Sequence, residues 1–255
     1  MLSPMATVFV LHGLGRSPMA MLPLVWALRH AGHDPINLGY VAARRSIEAT
    51  AERLAARIAR LRAESGAEGG AGGPVAFVTQ SLGGLLARRL LATWPEPAPG
   101  EVVRLVQLAP PNQGARLADV VRGSVAPARW VLGRALEDLG THAGAPRHGL
   151  PPLPPWVEAG VVAGGTGGPR GFGRWLEDDN DGVVRVAETW LPEARDWILL
   201  PRLHTFVMNA RDAQANALRF LEAGRFLDDA PRLVREPDGR VRLAAASPAA
   251  QSATG

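Results

Sequence analysis

Ser81 ends the run Val75-Ala76-Phe77-Val78-Thr79-Gln80-Ser81 and is followed by Leu82-Gly83-Gly84-Leu85-Leu86. An apolar strand pattern thus meets a serine, and small residues open a helical pattern after it. A tight strand-to-helix turn of this kind pushes the serine hydroxyl out at a sheet edge, where it can act as a nucleophile. Gly83 lets neighbouring backbone pass close to the turn. Thr79 stands where the G-x-S-x-G pattern has its first glycine, so that pattern is half met. The plain alternative is a serine that caps a helix and has no chemical duty.

A serine nucleophile needs a base, an acid to orient it, and donors for the developing oxyanion. Of the six histidines, His30 and His33 fall near a helix end and a turn, and His142 and His148 in a Gly/Pro-rich stretch. His204 lies in Leu200-Pro201-Arg202-Leu203-His204-Thr205-Phe206, just past a strand pattern and before the last helix, at the edge where Ser81 emerges. The run Glu177-Asp178-Asp179-Asn180-Asp181-Gly182 supplies acids between serine and histidine, with Asp181 the candidate to hold His204. A Ca²⁺ loop is the competing reading of that run, but the twelve-residue pattern with its closing glutamate is missing. The turn His12-Gly13-Leu14-Gly15 follows the first strand pattern. The N–H groups of Leu14 and Leu82 are therefore the candidate oxyanion hole, with His12 shaping the loop. Phosphate binding by the glycines is disfavoured, because G-x-G here lacks a third glycine and the downstream acid.

Taken together, Val10-Leu11-His12-Gly13-Leu14-Gly15, Thr79-Gln80-Ser81-Leu82-Gly83-Gly84, Pro110-Pro111-Asn112-Gln113-Gly114, Asp181-Gly182-Val183-Val184 and the His204 loop resemble the bacterial lipase/esterase branch of the α/β-hydrolase superfamily over roughly Thr7 to Phe226. Those relatives commonly carry histidine directly before the nucleophile, where this chain has Gln80. The resemblance implies cleavage of carboxylic esters through an acyl-enzyme, with no metal and no organic cofactor. Thioesterase, amidase and acyltransferase chemistry use the same three residues and stay open, as does a non-catalytic hydrolase-like interaction protein.

The elements that must position these residues are an α/β alternation: a mainly parallel central sheet with helices on both faces. Strands are expected at Thr7–Leu11, Ile36–Tyr40, Val75–Val78, Val102–Leu108, Val157–Ala163 and Trp197–Leu200. Helices are expected near Met19–His30, Ser46–Glu64, Ser81–Thr93, Arg116–Arg122, Pro127–Leu139 and Arg211–Phe226, with a Gly/Ala loop over Gly66–Gly73. In the second helix Ile47, Ala51, Leu54, Ile58 and Leu61 share one face, and Arg53, Arg57 and Arg60 read as a solvated one because Glu48, Glu52 and Glu64 interleave with them. Residues 1–227 are then expected to form the hydrolase-like domain, with a helical cap inserted at 112–156. Its Trp130, Leu132, Leu136, Leu153 and Trp156 either line an acyl pocket, with Trp130 and Trp156 as substrate-binding candidates, or pack cap against sheet. Residues 228–255 read as a largely disordered extension, Ala/Ser-rich from Ala244.

Composition excludes other classes. The 255 residues are 47% hydrophobic and 20% charged, which suits a folded globular chain with a sizeable core. All 28 basic residues are arginine, tyrosine occurs once and cysteine never, so little titrates between histidine and arginine. The pI of 10.9 therefore reflects missing buffers on a net charge of +4 rather than a nucleic-acid-binding field. Absent cysteine removes disulfides, thiolate metal sites and a cysteine nucleophile. No apolar run reaches the roughly 18 residues of a membrane helix, and no signal-peptide pattern is visible. The expected partner is a small ester or lipid substrate, with no nucleic acid and no integral membrane association. The expected location is the cytoplasm, with export of a processed form left open. The sequence carries no reading of oligomeric state.

Overall fold

The computed structural model describes residues 6–41, 45–64, 74–98, 101–123, 139–141 and 150–245. The apolar runs become six strands: β1 (Thr7–Leu11), β2 (Asp34–Leu38), β3 (Val75–Gln80), β4 (Val103–Leu108), β5 (Val157–Gly164) and β6 (Ala194–Leu200). They form one sheet in the order β2-β1-β3-β4-β5-β6, and every pair is parallel. Five helices accompany them among the described residues: α1 (Leu22–His30), α2 (Ile47–Glu64), α3 (Leu82–Leu91), α4 (Arg116–Gly123) and α5 (Arg211–Ala223).

Strand alternation divides the core into two layers. Phe9, Leu11, Phe77 and Leu105 join Leu54 and Ile58 of α2 and Leu86 of α3 on one face. Val8, Val10, Val78 and Val106 join Leu24 and Leu28 of α1 and Ala217 and Phe220 of α5 on the other. Each fully buried side chain of this size stabilises by roughly 1.5–3 kcal/mol, so both faces hold the sheet in place. Helix α2 turns Ile47, Ala51, Leu54 and Ile58 inward and leaves Arg53, Arg57 and Arg60 exposed, as the periodicity requires.

The expected second strand begins and ends two residues earlier than read, because β2 pairs with β1 from Thr7↔Asp34 to Leu11↔Leu38 and stops where β1 stops. Tyr40 is thereby left just beyond the strand. Strand β6 begins at Ala194 rather than Trp197, and α5 ends at Ala223 with Gly224 in a left-handed cap. The expected Gly/Ala loop and most of the Pro127–Leu139 helix lie outside the described residues.

The extension after residue 227 is a correction. Residues 228–245 carry a two-stranded antiparallel hairpin, β7 (Leu233–Arg235) with β8 (Val241–Leu243). It is tied to the β6 edge by the Ile198↔Arg232 bridge and by the Leu199 N–H, which donates to the Pro231 carbonyl at 2.8 Å. The Arg232 guanidinium donates to the carbonyls of Leu227 and Ala230 and to Asp196 Oδ2. Three-residue strands held by one arginine leave no apolar period to read. Residues 246–255 are outside the described set.

Strand order reverses at β1: the chain steps to β2 on one side, then returns to β3 on the other. The carboxyl ends of β1 and β3 flank that reversal, and the crevice outside such a switch point is where open parallel sheets bind ligands. Among the described residues no helix is long and apolar enough to cross a membrane.

Candidate active site

Strand β3 delivers Ser81 to that crevice. Its backbone takes φ 52° and ψ −124°, a region costly for a residue with a Cβ, on the order of 1–3 kcal/mol. The surroundings hold it there: the Ser81 N–H donates to the Leu108 carbonyl at 2.9 Å, and the Gly84 N–H to the Ser81 carbonyl at 2.9 Å. A Cβ on Gly83 would lie 2.7 Å from the Leu11 carbonyl oxygen and 2.9 Å from that of His12. Only glycine lets the first turn of α3 rest on the end of β1. Thr79 is fully buried, and its hydroxyl donates to the Val106 carbonyl at 3.2 Å. The departure from G-x-S-x-G is thus absorbed by a bond to the neighbouring strand.

Asp181 and His204 arrive from the loops that follow β5 and β6. His204 Nε2 lies 3.0 Å from Ser81 Oγ, and its Nδ1 lies 2.7 Å from Asp181 Oδ2. A carboxylate only accepts, so Nδ1 carries the hydrogen and Nε2 is left to accept the serine proton. The other carboxylate oxygen, Oδ1, accepts the N–H groups of Val183 at 2.9 Å and Val184 at 2.7 Å. The His204 N–H donates to the Asp181 carbonyl at 3.0 Å, which locks the two loops together by backbone as well as by side chain. The neighbouring Asp179 and Asn180 serve the loop itself. Asp179 accepts the N–H groups of Thr166 and Gly167, and Asn180 those of Gly173 and Gly182. Among the described residues no group of three or more potential ligands could hold a metal ion.

The His12-Gly13-Leu14 loop closes the third side. A Cβ on Gly13 would sit 3.0 Å from Ser81 Cβ, so the loop abuts the serine directly. The His12 ring is buried and its Nδ1 lies 2.9 Å from the Gly13 carbonyl oxygen, to which it must donate. The Arg16 N–H donates to the same oxygen at 3.3 Å. Burial pushes the His12 pKa below 6.5, with the Gly13 bond acting weakly in the opposite direction. Among the described residues the N–H groups of Leu14 and Leu82 have no hydrogen-bond partner and remain available as donors.

Some sequence expectations fail or fall outside the described residues. Trp130, Leu132, Leu136, His142 and His148 lie outside them. Trp156 directly precedes β5, and its carbonyl accepts the N–H of Val103 at the start of β4. It therefore sits at the amino-terminal edge of the sheet, opposite Ser81, packed against the core, and it cannot line the crevice. Leu153 is likewise buried in the core. Two residues acquire places that motif reading does not give them. Gln80 Nε2 donates to the His204 carbonyl at 3.3 Å, linking the residue before the serine to the histidine loop. Tyr40 stacks on His12 with ring centroids 4.2 Å apart and planes inclined by 7°. Behind the turn, Gln107 Nε2 donates to the Gly84 carbonyl at 3.0 Å and Asn112 Nδ2 to Gln107 Oε1 at 2.9 Å. That chain gives Asn112 of the Pro110–Gly114 segment a supporting place.

No protein-family model matches the chain, and no curated protein does either. Solved structures do. A Bacillus licheniformis lipase in mature form superposes with a TM-score of 0.58 at 21% identity, covering 88% of this chain and 93% of that one. A thioesterase of the prodiginine biosynthetic pathway in Streptomyces coelicolor gives 0.51 at 16%, covering 87% and 91%. A protein described as a hydrolase of the α/β superfamily from Xanthomonas campestris gives 0.50 at 16%, covering 85% and 98%. At these identities the likeness is one of fold, and the fold is that of the α/β hydrolases.

Proposed function

We propose that this protein is a serine ester hydrolase of the esterase/lipase type. The observation that carries the reading is the hydrogen-bonded chain from Ser81 Oγ through His204 to Asp181, at 3.0 and 2.7 Å, raised at the switch point of the sheet. Ser81 Oγ attacks the acyl carbonyl while His204 Nε2 takes its proton. Asp181 keeps the imidazole in the right tautomer and stabilises it as the imidazolium forms. The carbonyl oxygen gains negative charge, which the N–H groups of Leu14 and Leu82 are placed to receive. One such donor is typically worth about 3 kcal/mol of barrier. The tetrahedral intermediate collapses, the leaving alcohol takes the proton back from His204, and an acyl-Ser81 ester remains. Water deprotonated by His204 then attacks that ester and releases the acid.

The exposed side chains of Phe172, Trp175, Leu203 and Phe206 lie on the loops after β5 and β6, on the same edge as Ser81. They support an apolar acyl or alcohol group in the substrate, as in a small lipid-like ester. Turnover of short nitrophenyl esters tests the proposal: the wild-type chain is expected to hydrolyse them and Ser81→Ala to lose the activity. Turnover retained in Ser81→Ala contradicts it.

A further inference from the structure

We infer that Tyr40, the single tyrosine of the chain, is a positioning residue for the oxyanion side of this site. The inference rests on the function proposed above. The argument starts from the geometry of a peptide unit, in which a carbonyl and the following N–H lie in one plane and point in opposite directions. The N–H of Leu14 therefore points where the Gly13 carbonyl does not. That carbonyl is held by the His12 ring through Nδ1 at 2.9 Å, so the orientation of the ring sets the aim of the donor. Tyr40 is the surface against which the ring is held flat, 4.2 Å away and 7° from parallel.

The tyrosine also acts on the preceding peptide. Its hydroxyl donates to the carbonyl of His12, which fixes the plane of the 12–13 peptide as well. Both the backbone and the ring of His12 are thus referred to one side chain. The first turn of α3 also lies close to this carbonyl: a Cβ on Gly83 would approach its oxygen to 2.9 Å. The loop is therefore packed against both Tyr40 and α3. Topology makes the contact: β2 pairs with β1 and both stop in register at Leu11↔Leu38, so Tyr40 and His12 leave the sheet side by side. Burial pushes the Tyr40 hydroxyl above its ordinary pKa and the His12 imidazole below its own.

The full chain is compared with Tyr40→Phe, which keeps the ring and loses the hydroxyl, and with Tyr40→Ala, which loses both. On a short nitrophenyl ester, kcat is expected to fall on the order of tenfold in Tyr40→Phe and roughly a hundredfold in Tyr40→Ala, within the loss expected for one missing oxyanion donor. KM is expected to stay within about twofold, since the effect is confined to the transition state. Affinity for a boronic acid, which adds to Ser81 as a tetrahedral anion, should weaken in parallel with kcat. A merely structural tyrosine would lower the melting temperature and leave kcat and boronate affinity at wild-type values; that result in both variants overturns the inference alone. Absence of ester turnover in the wild type, or its persistence in Ser81→Ala, overturns the ester-hydrolase reading and this inference with it.

Discussion

On the β5–β6 side of the crevice, Asp181 and His204 are held by a carboxylate that accepts three hydrogen bonds and by a backbone bond between their loops. On the β1–β2 side, His12 and Tyr40 are held by stacked rings and by bonds to backbone carbonyls. In the proposed reaction the first side exchanges protons, and its histidine has a carboxylate as partner. In that reaction the second side presents an N–H dipole, and burial pushes the His12 pKa down and the Tyr40 pKa up. A histidine occurs on each side; one is bonded to a carboxylate and a serine hydroxyl, the other to a backbone carbonyl.

Substitutions on the Asp181–His204 side should have the largest effects. His204→Ala is expected to lower kcat by roughly 10⁵- to 10⁶-fold and Asp181→Asn by roughly 10⁴-fold, with the fold retained by circular dichroism. An Asp181→Asn enzyme within tenfold of wild type would remove the carboxylate from the relay.

Gln80 sits between the two sides and should give an intermediate effect. Gln80→Leu removes the donor to the His204 carbonyl, and a bond of this kind is worth about 1 kcal/mol. A fall in kcat on the order of tenfold at unchanged KM is expected. An unchanged kcat would leave Gln80 as packing alone.

The smallest effect is on stability. His12 has its pKa depressed below 6.5 in the fold, so its contribution is fully present above that value and is lost as pH falls through the lower folded value. Buried His33 has the same sign, with burial outweighing the attraction of Glu222. Melting temperature should therefore decline as pH drops below about 6.5, and His12→Gln should make the decline shallower. An equal slope in the variant would assign the acid sensitivity to His33 and the carboxylates.

Ser81 and His204 can be placed at one edge from the sequence because each follows an apolar strand pattern, and parallel strands deliver their carboxyl ends to a common edge; Asp181 is read from its acidic run between them. The same rule, applied fully, also excludes Trp156. The chain leaves β4 at the site edge and must travel the height of the sheet before β5 begins, so a residue next to the start of β5 faces away from Ser81. Tyr40 is illegible in a motif scan because its place depends on which strand pairs with β1, and nothing in Ile36-Asn37-Leu38-Gly39-Tyr40 states that. Gln80 shows only as a departure from a pattern until the His204 loop is folded against it. The hairpin after residue 227 escapes for a different reason: it is fastened by the Arg232 side chain and short strands, which carry no periodicity.

The central claim is that Ser81 is a nucleophile activated by His204. Labelling the chain with a fluorophosphonate and locating the adduct by peptide mass spectrometry tests it most directly. A single adduct on Ser81, abolished in Ser81→Ala and slowed by several orders of magnitude in His204→Ala, is the predicted result. An adduct on another residue, or labelling of Ser81 that is indifferent to His204, would contradict it.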